Sequence, residues 1–444
     1  MSPIIRNSIL PTLILLLTIC TSTLKAQQRW SLEACIDYAH KNNLQVKQQE
    51  IAVKQAQTNV KQSKLDFIPS FNASIGHNFN WGKSVNINDL EIITNKLTQS
   101  TSANVSTSTP IVAGLAKHYT LKSSRTQLQI SQQEIEKLKN EISIAITQAY
   151  LQVLLAFEIE KSAEQSYKSV EQQKERTKVL VDAGSQPFSA LLDMEAQLAS
   201  ELVQLIAARN DIKSNMLTLA QLMELPQESG FEIETPLLDD DMLEFAKENI
   251  STIYDHALSL PQIKSAELEL QKSRYDYKMQ KGQLYPSISF TAGYGTYFSD
   301  SQHSAFFDQF NENRNPSVGL SLTVPIFNGW RKSSALRNAG YNVENAKLEL
   351  KRRHNNLYKE IQQANNNAEN SFAKCRAALQ NMRASQESFT YVENKFNAGV
   401  LNSTDYIVAK TNLFKAESEY FQSKFQYIFQ LKILDFYKGI PIKL

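Results

Sequence analysis

Ile68-Pro69-Ser70-Phe71 in the first third of the chain returns as Tyr285-Pro286-Ser287-Ile288, and Thr109-Pro110-Ile111 with Gly114 returns as Val324-Pro325-Ile326 with Gly329. Ala183-Gly184 returns in the same way as Ala398-Gly399, and 74 residues separate Pro110 from Gly184 just as they separate Pro325 from Gly399. Motifs in a fixed order at a fixed spacing mark one structural plan written twice. The first copy is expected over 27–225 and the second over 262–444, joined by the proline- and acid-containing stretch 226–261.

Each copy opens on a helical pattern, over 31–66 and over roughly 262–284, which Pro69 and Pro286 close because proline removes a donor and clashes with a continuing helix. After each proline the period changes from 3.6 to 2. Phe71, Ala73, Ile75, Phe79 and Trp81 alternate with Asn72, Ser74, Asn78 and Asn80; Ala103 and Val105 alternate with Ser102, Asn104 and Ser106. The second copy repeats this with Ile288, Phe290, Ala292, Tyr294 and Phe298, then with Val318, Leu320, Leu322 and Val324. Four amphipathic strands are predicted, over about 70–82, 101–111, 287–299 and 316–326. Each is about the length of a tilted membrane span, yet four are too few to close a barrel, so a membrane role implies several chains. Trp81, Tyr297 and Phe298 lie near strand ends, where aromatic girdles meet the membrane interface.

The remainder reads as long helix. No proline or glycine interrupts the chain between Gly114 and Gly184, enough for a helix of roughly 100 Å. Leu121, Leu128, Ile135 and Ile142 recur every seven residues, as do Leu413, Tyr420, Tyr427 and Leu434, the spacing of helices that pack side by side.

The N-terminus carries Arg6, an apolar run from Ile9 to Cys20, and Ala26 ahead of Gln27-Gln28, the pattern of a secretory signal peptide over 1–26. The alternative of lipidation at Cys20 meets Ile19 where a small residue is preferred. Removing 1–26 takes away Arg6 and Lys25 and leaves 45 basic against 45 acidic residues, so nothing recommends a nucleic-acid partner. Cys35 and Cys375 allow one disulfide and make no metal motif. No later window is expected to be apolar enough for a transmembrane helix, which leaves a barrel as the way into a membrane.

Catalytic signatures are missing. His40, His77, His118, His256, His303 and His354 never fall at zinc-ligand spacing, and there is no nucleophile elbow or phosphate-cradling glycine loop. No cofactor or metal is expected, and an enzyme is not. An exported coiled-coil structural or adhesive protein would share the heptads but has no use for lipid-length strands at duplicated positions. A periplasmic adaptor would show one helical hairpin, not two.

Taken together, Val324-Pro325-Ile326-Phe327-Asn328-Gly329, the tip Lys395-Phe396-Asn397-Ala398-Gly399 followed by Asp405, and the ordered duplication resemble the outer-membrane efflux protein family, the TolC-like channel subunits. The resemblance covers essentially the whole chain after residue 26. It implies a fold that is mainly α with membrane β: a homotrimer whose protomers give four strands each to a 12-stranded β-barrel, continued by an α-helical barrel. It further implies an outer-membrane exit duct for efflux or type I secretion, meeting a periplasmic adaptor and an inner-membrane pump, proton-driven or ABC type.

Two turns follow from the sequence itself. Gly184 and Gly399 suit left-handed helix C-caps at tips spanning 181–188 and 397–403, with Pro187 in the first turn of one return helix and Ser403 or Thr404 capping the other. By resemblance, the tips Ala183, Gly184, Ser185, Ala398, Gly399 and Val400 dock the adaptor. Asp405, six residues after Gly399, and Asp193, nine after Gly184, fall close to acidic positions of the family's periplasmic constriction. In a trimer each becomes a ring of three carboxylates, which attracts cations and resists tight closure. Ala190 stands six residues after Gly184 in the first copy, and Leu401 with Phe396 occupies the place of an arginine and a tyrosine that close one branch of the family. Apolar packing of Phe396 and Leu401 is therefore expected to carry closure here.

Overall fold

A computed structural model describes residues 29–85, 92–226, 231–236 and 249–444. The expected signal peptide and Cys20 lie outside the described residues, as does much of 226–261.

The first helices among the described residues are α1 (Leu32–Asn42) and α2 (Leu44–Leu65), where the sequence predicts one over 31–66. Ser31 caps α1, its Oγ accepting from the Ala34 amide at 3.2 Å. Asn43 divides the pair, because its backbone turns extended and its Oδ1 accepts from the Gln45 and Val46 amides, starting a new helix at once. Strands β1 (Ser70–Val85) and β2 (Ile92–Ala113) follow, then α3 (Ala116–Asp182), α4 (Phe188–Met223) and the short α5 (Ile250–Ala257). Next come α6 (Pro261–Gly282), β3 (Ser287–Ser299), α7 (Phe306–Glu312), β4 (Asn315–Thr323), α8 (Arg331–Asn397) and α9 (Ser403–Tyr437). The two longest helices, α3 and α8, have 67 residues each.

The four strands form one antiparallel sheet in the order β1-β2-β3-β4. Its register puts Asn72, Ser106, Gly293 and Ser317 in one cross-strand row, and Ala73, Val105, Tyr294 and Pro316 in the next. Side chains alternate along a strand, so one face is mostly small and polar and the other mostly apolar, with His77, Thr101 and Thr107 among its aliphatic and aromatic residues. The apolar face is open: Ile75 is 83 % exposed, and Phe71, Trp81, Val318 and Leu320 are similarly bare. Tyr297 pairs with Ser102 and lies on the polar face, whereas Phe298 and Trp81 lie on the apolar one. Adjacent residues of a strand point to opposite sides, so Tyr297 does not share a face with the other two.

Strand ends also differ from expectation. β2 starts nine residues earlier than predicted, and its register shifts at Pro110, which has no amide to donate. β4 ends at Thr323 ahead of Pro325. The turn of helix α7 between β3 and β4 was not legible in the sequence; Gln309 holds it, its side chain accepting from the Ser299 amide and donating to the Ser304 carbonyl.

Two compact units divide the chain. One takes the chain up to Lys47, Leu138–Ala257 and Leu357–Leu444; the other takes Gln48–Lys137 and Leu258–Asn356. Each draws on both halves of the sequence. The first unit is cored by Leu32, Cys35, Ile146, Tyr150, Val153, Leu219 and Met223. Tyr150 anchors the stretch after α4 there, donating to the Glu234 carbonyl at 2.7 Å, while the Trp30 and Glu234 backbones pair. Contrary to the hydropathy expectation, α3 does contain an 18-residue window of mean hydropathy 1.6, apolar enough to cross a membrane. Half of that window is buried, and α3 supplies Ile146, Tyr150, Leu151 and Val153 to the core.

Candidate functional site

The two helical tips lie in the first unit and are built alike. Gly184 and Gly399 adopt φ of 69° and 72°, which a side chain disfavours. Past each glycine an amide reaches back to a carbonyl five residues earlier, Ser185 to Leu180 at 2.8 Å and Val400 to Lys395 at 3.0 Å, the closing bond of a Schellman turn. Ala183, Gly184, Ser185, Ala398, Gly399 and Val400 are all exposed at these turns.

The return helices start differently. Pro187 sits one position before the first helical residue of α4 and makes no side-chain cap. Asn402, and not Ser403 or Thr404, caps α9 by accepting from the Asp405 amide at 2.8 Å. Capping by Asn402 frees the Ser403 hydroxyl, which donates to the Asp193 carboxylate at 2.7 Å and ties α9 to α4. Arg176 of α3 donates to the Asn397 carbonyl at 3.2 Å, a second tie between the hairpins.

Beneath the tip, Phe396 is 2 % exposed and packs on Tyr406 at 5.0 Å between ring centroids, with Phe389, Met194 and Leu413 around them and Leu401 partly buried at the edge. Phe396 is therefore held inside the packing of its own chain. Asp405 and Asp193 are both exposed. The Tyr406 hydroxyl lies 3.5 Å from Ser169 on α3, and burial raises its pKa above the ordinary tyrosine range.

Deeper along the same helices lie two groups that sequence reasoning missed. Lys410 is buried with its ammonium 4.8 Å from the Phe389 ring centroid, and burial lowers its pKa against the opposing pull of Glu201, Glu417 and Glu393. Glu201 is 2 % exposed; one carboxylate oxygen accepts from Gln197 at 2.7 Å and the other is buried without a hydrogen-bond partner. Their only signal was charge at positions four or seven residues from core residues of a heptad helix. Among the described residues no group of three or more His, Cys, Asp or Glu is placed to hold a metal ion.

The family of outer membrane efflux proteins matches residues 35–224 and 253–436. The chain is 22 % identical to outer membrane protein TolC of Escherichia coli over 63 % of its length and 57 % of the relative's. It is 23 % identical to alkaline protease secretion protein AprF of Pseudomonas aeruginosa, over 71 % of its length and 64 % of that relative's. It spans less than two thirds of either. Among solved structures, the CmeC outer membrane channel of Campylobacter jejuni has the same fold, with a TM-score of 0.77 at 18 % identity over 92 % of this chain and 85 % of that one.

Proposed function

The chain belongs to the outer membrane efflux protein family, and from that premise we infer that it is the outer-membrane exit duct of a tripartite efflux pump or a type I secretion system. One observation carries the reading: a four-stranded sheet with a bare apolar face, a mostly small polar face, and outer edges on β1 and β4 that no other strand among the described residues pairs. In water each exposed Ile, Leu or Phe would forgo about 1.5–3 kcal/mol of burial, and open strand edges invite uncontrolled pairing. Both costs vanish when β4 of one protomer pairs with β1 of the next and the closed sheet meets lipid. Three copies give 12 strands, enough for a barrel with a water-filled, Ser- and Asn-lined lumen.

On this reading the chain is two tandem repeats, 27–225 and 262–444, and the homotrimer continues from the barrel as an α-helical tunnel. The exposed tips around Gly184 and Gly399 receive a periplasmic adaptor, which couples the duct to a proton-driven or ABC-type inner-membrane pump. Asp405, Asp193 and Leu401 form the constriction, with Phe396 supporting it from inside the protomer. No chemistry is performed on the cargo. Heat-modifiable migration of the protein in the outer-membrane fraction, with cross-links between cysteines placed on β1 and β4 of different protomers, is the expected result. Recovery as a soluble rod would end the reading.

A further inference from the structure

The four junctions between strands and helices share a composition that the duct function leaves unused. Over 61–69, 114–125, 274–286 and 327–337, eleven basic residues stand against two acidic ones, Asp66 and Asp276, in a chain whose formal net charge is only +2. All four segments belong to the second compact unit, and their backbones and side chains meet. Gly114 and Gly282 approach so closely that a Cβ on either would strike the other's backbone. Lys117 donates to the Asp66 carbonyl, and Lys332 donates to that of Gln283 at 2.8 Å.

On the strand side of these cations the surface is apolar. Ile326 is 94 % exposed and Phe327 87 %, with Leu115, Ile111 and Trp330 also bare. Among the basic residues lie aromatic rings that carry cations: Arg337 over Trp330 at 5.4 Å, and Lys122 and Lys278 each 5.7 Å from a ring of the stacked pair Tyr119 and Tyr275. Leu115 and Trp330 hold left-handed backbone, φ 63° and 64°, directly after Gly114 and Gly329. Two bulky side chains are thus kept outward at equivalent places of the two copies despite a backbone cost of about 1–2 kcal/mol each.

We propose that this belt is a binding surface for anionic phospholipid headgroups of the leaflet into which the strand–helix junctions dip. The proposal rests on the membrane-barrel reading and deepens it. Bare apolar side chains toward the strands, with aromatic rings and Lys and Arg intermingled toward the helices, match the polarity of one membrane interface. An acidic protein partner would answer the basic zone but would leave Ile326, Phe327 and Leu115 in water. Continuity of the belt with the apolar sheet face favours lipid.

The test uses the full-length protein reconstituted in vesicles of phosphatidylethanolamine alone or mixed with phosphatidylglycerol, with co-purified lipid measured by native mass spectrometry. Wild type is expected to retain phosphatidylglycerol in preference, the preference falling as salt rises. The quadruple variant Lys64→Gln, Arg125→Gln, Lys281→Gln, Arg331→Gln alters four exposed side chains and should lose the preference by about fivefold per charge. Exchange of Lys64 and Lys281 for Arg should keep it. If wild type inserts and forms heat-modifiable trimers yet holds both lipids equally, or if a soluble polyanion binds the belt while lipid selectivity is absent, the proposal is overturned and the barrel stands. Failure of wild type to insert at all overturns both.

Discussion

The Ser403 hydroxyl donates to the Asp193 carboxylate at 2.7 Å, and with that single bond the first turn of α9 is fastened to the first two turns of α4. Ser403 is nearly buried and Asp193 is exposed, so water can replace one end of the bond but must be admitted to the other. Its net worth is therefore that of an ordinary neutral hydrogen bond, about 1 kcal/mol, which is about a fivefold shift in an opening equilibrium. Ser403→Ala should raise the open probability of single channels by about that factor while leaving trimer yield unchanged. An unaltered open probability would show that the tie does not restrain the tip.

The glycines at the two tips make separate predictions for stability and for docking. A Cβ at Gly399 or Gly184 meets nothing within 4 Å, so Gly399→Ala is strained only through its backbone, by about 1–2 kcal/mol. Thermal unfolding should show a modest loss, with transport intact. Ala398→Trp, by contrast, adds bulk on an exposed turn and should abolish transport while trimers persist. Transport at the wild-type level in that variant would remove the tips from the adaptor interface.

Cys35 and Cys375 are both buried and carry no disulfide, which settles the pairing that the sequence left open. Burial pushes the Cys35 thiol up to about 12 from an ordinary value of 9.0, and Tyr427 in the same unit up to about 12 from 10.0. Folded values above unfolded ones mean stability that is complete below pH 9 and lost as pH rises through about 12. Melting temperature should fall over that interval, and Cys35→Ala should flatten its first part, between pH 9 and 10. The buried thiol should also resist maleimide at pH 8 until the protein unfolds, rapid labelling being the contrary result.

The sequence carried the tips and strands because they depend on local chemistry. A glycine must supply φ near 70°, a proline must end a helix, and period 2 must replace period 3.6 at a sheet. What it did not carry depends on neighbours distant in the chain. Asn43 reads as one more polar residue of a helix until its side chain is seen capping α2, and Gln309 reads as solvated until it is seen tying α7 to β3. Lys410 and Glu201 look like surface charges, and only the packing of neighbouring helices buries them. The face of Tyr297, opposite to that of Phe298, follows from plain alternation along the strand.

Asp405 is the residue on which the gate reading turns. Its amide is taken by the Asn402 side chain, so the cap of α9 is complete without its carboxylate. Placement in the first helical turn favours a negative charge by about 0.3–1 kcal/mol, which would account for an acid here on helix stability alone. A ring of three such carboxylates on a trimer axis makes a different demand, because it draws cations into the narrowest part of the duct and binds divalent ions most strongly. Asp405→Asn keeps size and hydrogen-bonding capacity and removes the charge, so it separates the two roles. The constriction role requires that cation selectivity and block by divalent cations both weaken in planar-bilayer recordings, while thermal stability drops by no more than the helix-dipole contribution. A variant that loses that small stability and keeps its selectivity and block would place Asp405 off the axis, leaving its charge to the helix end alone.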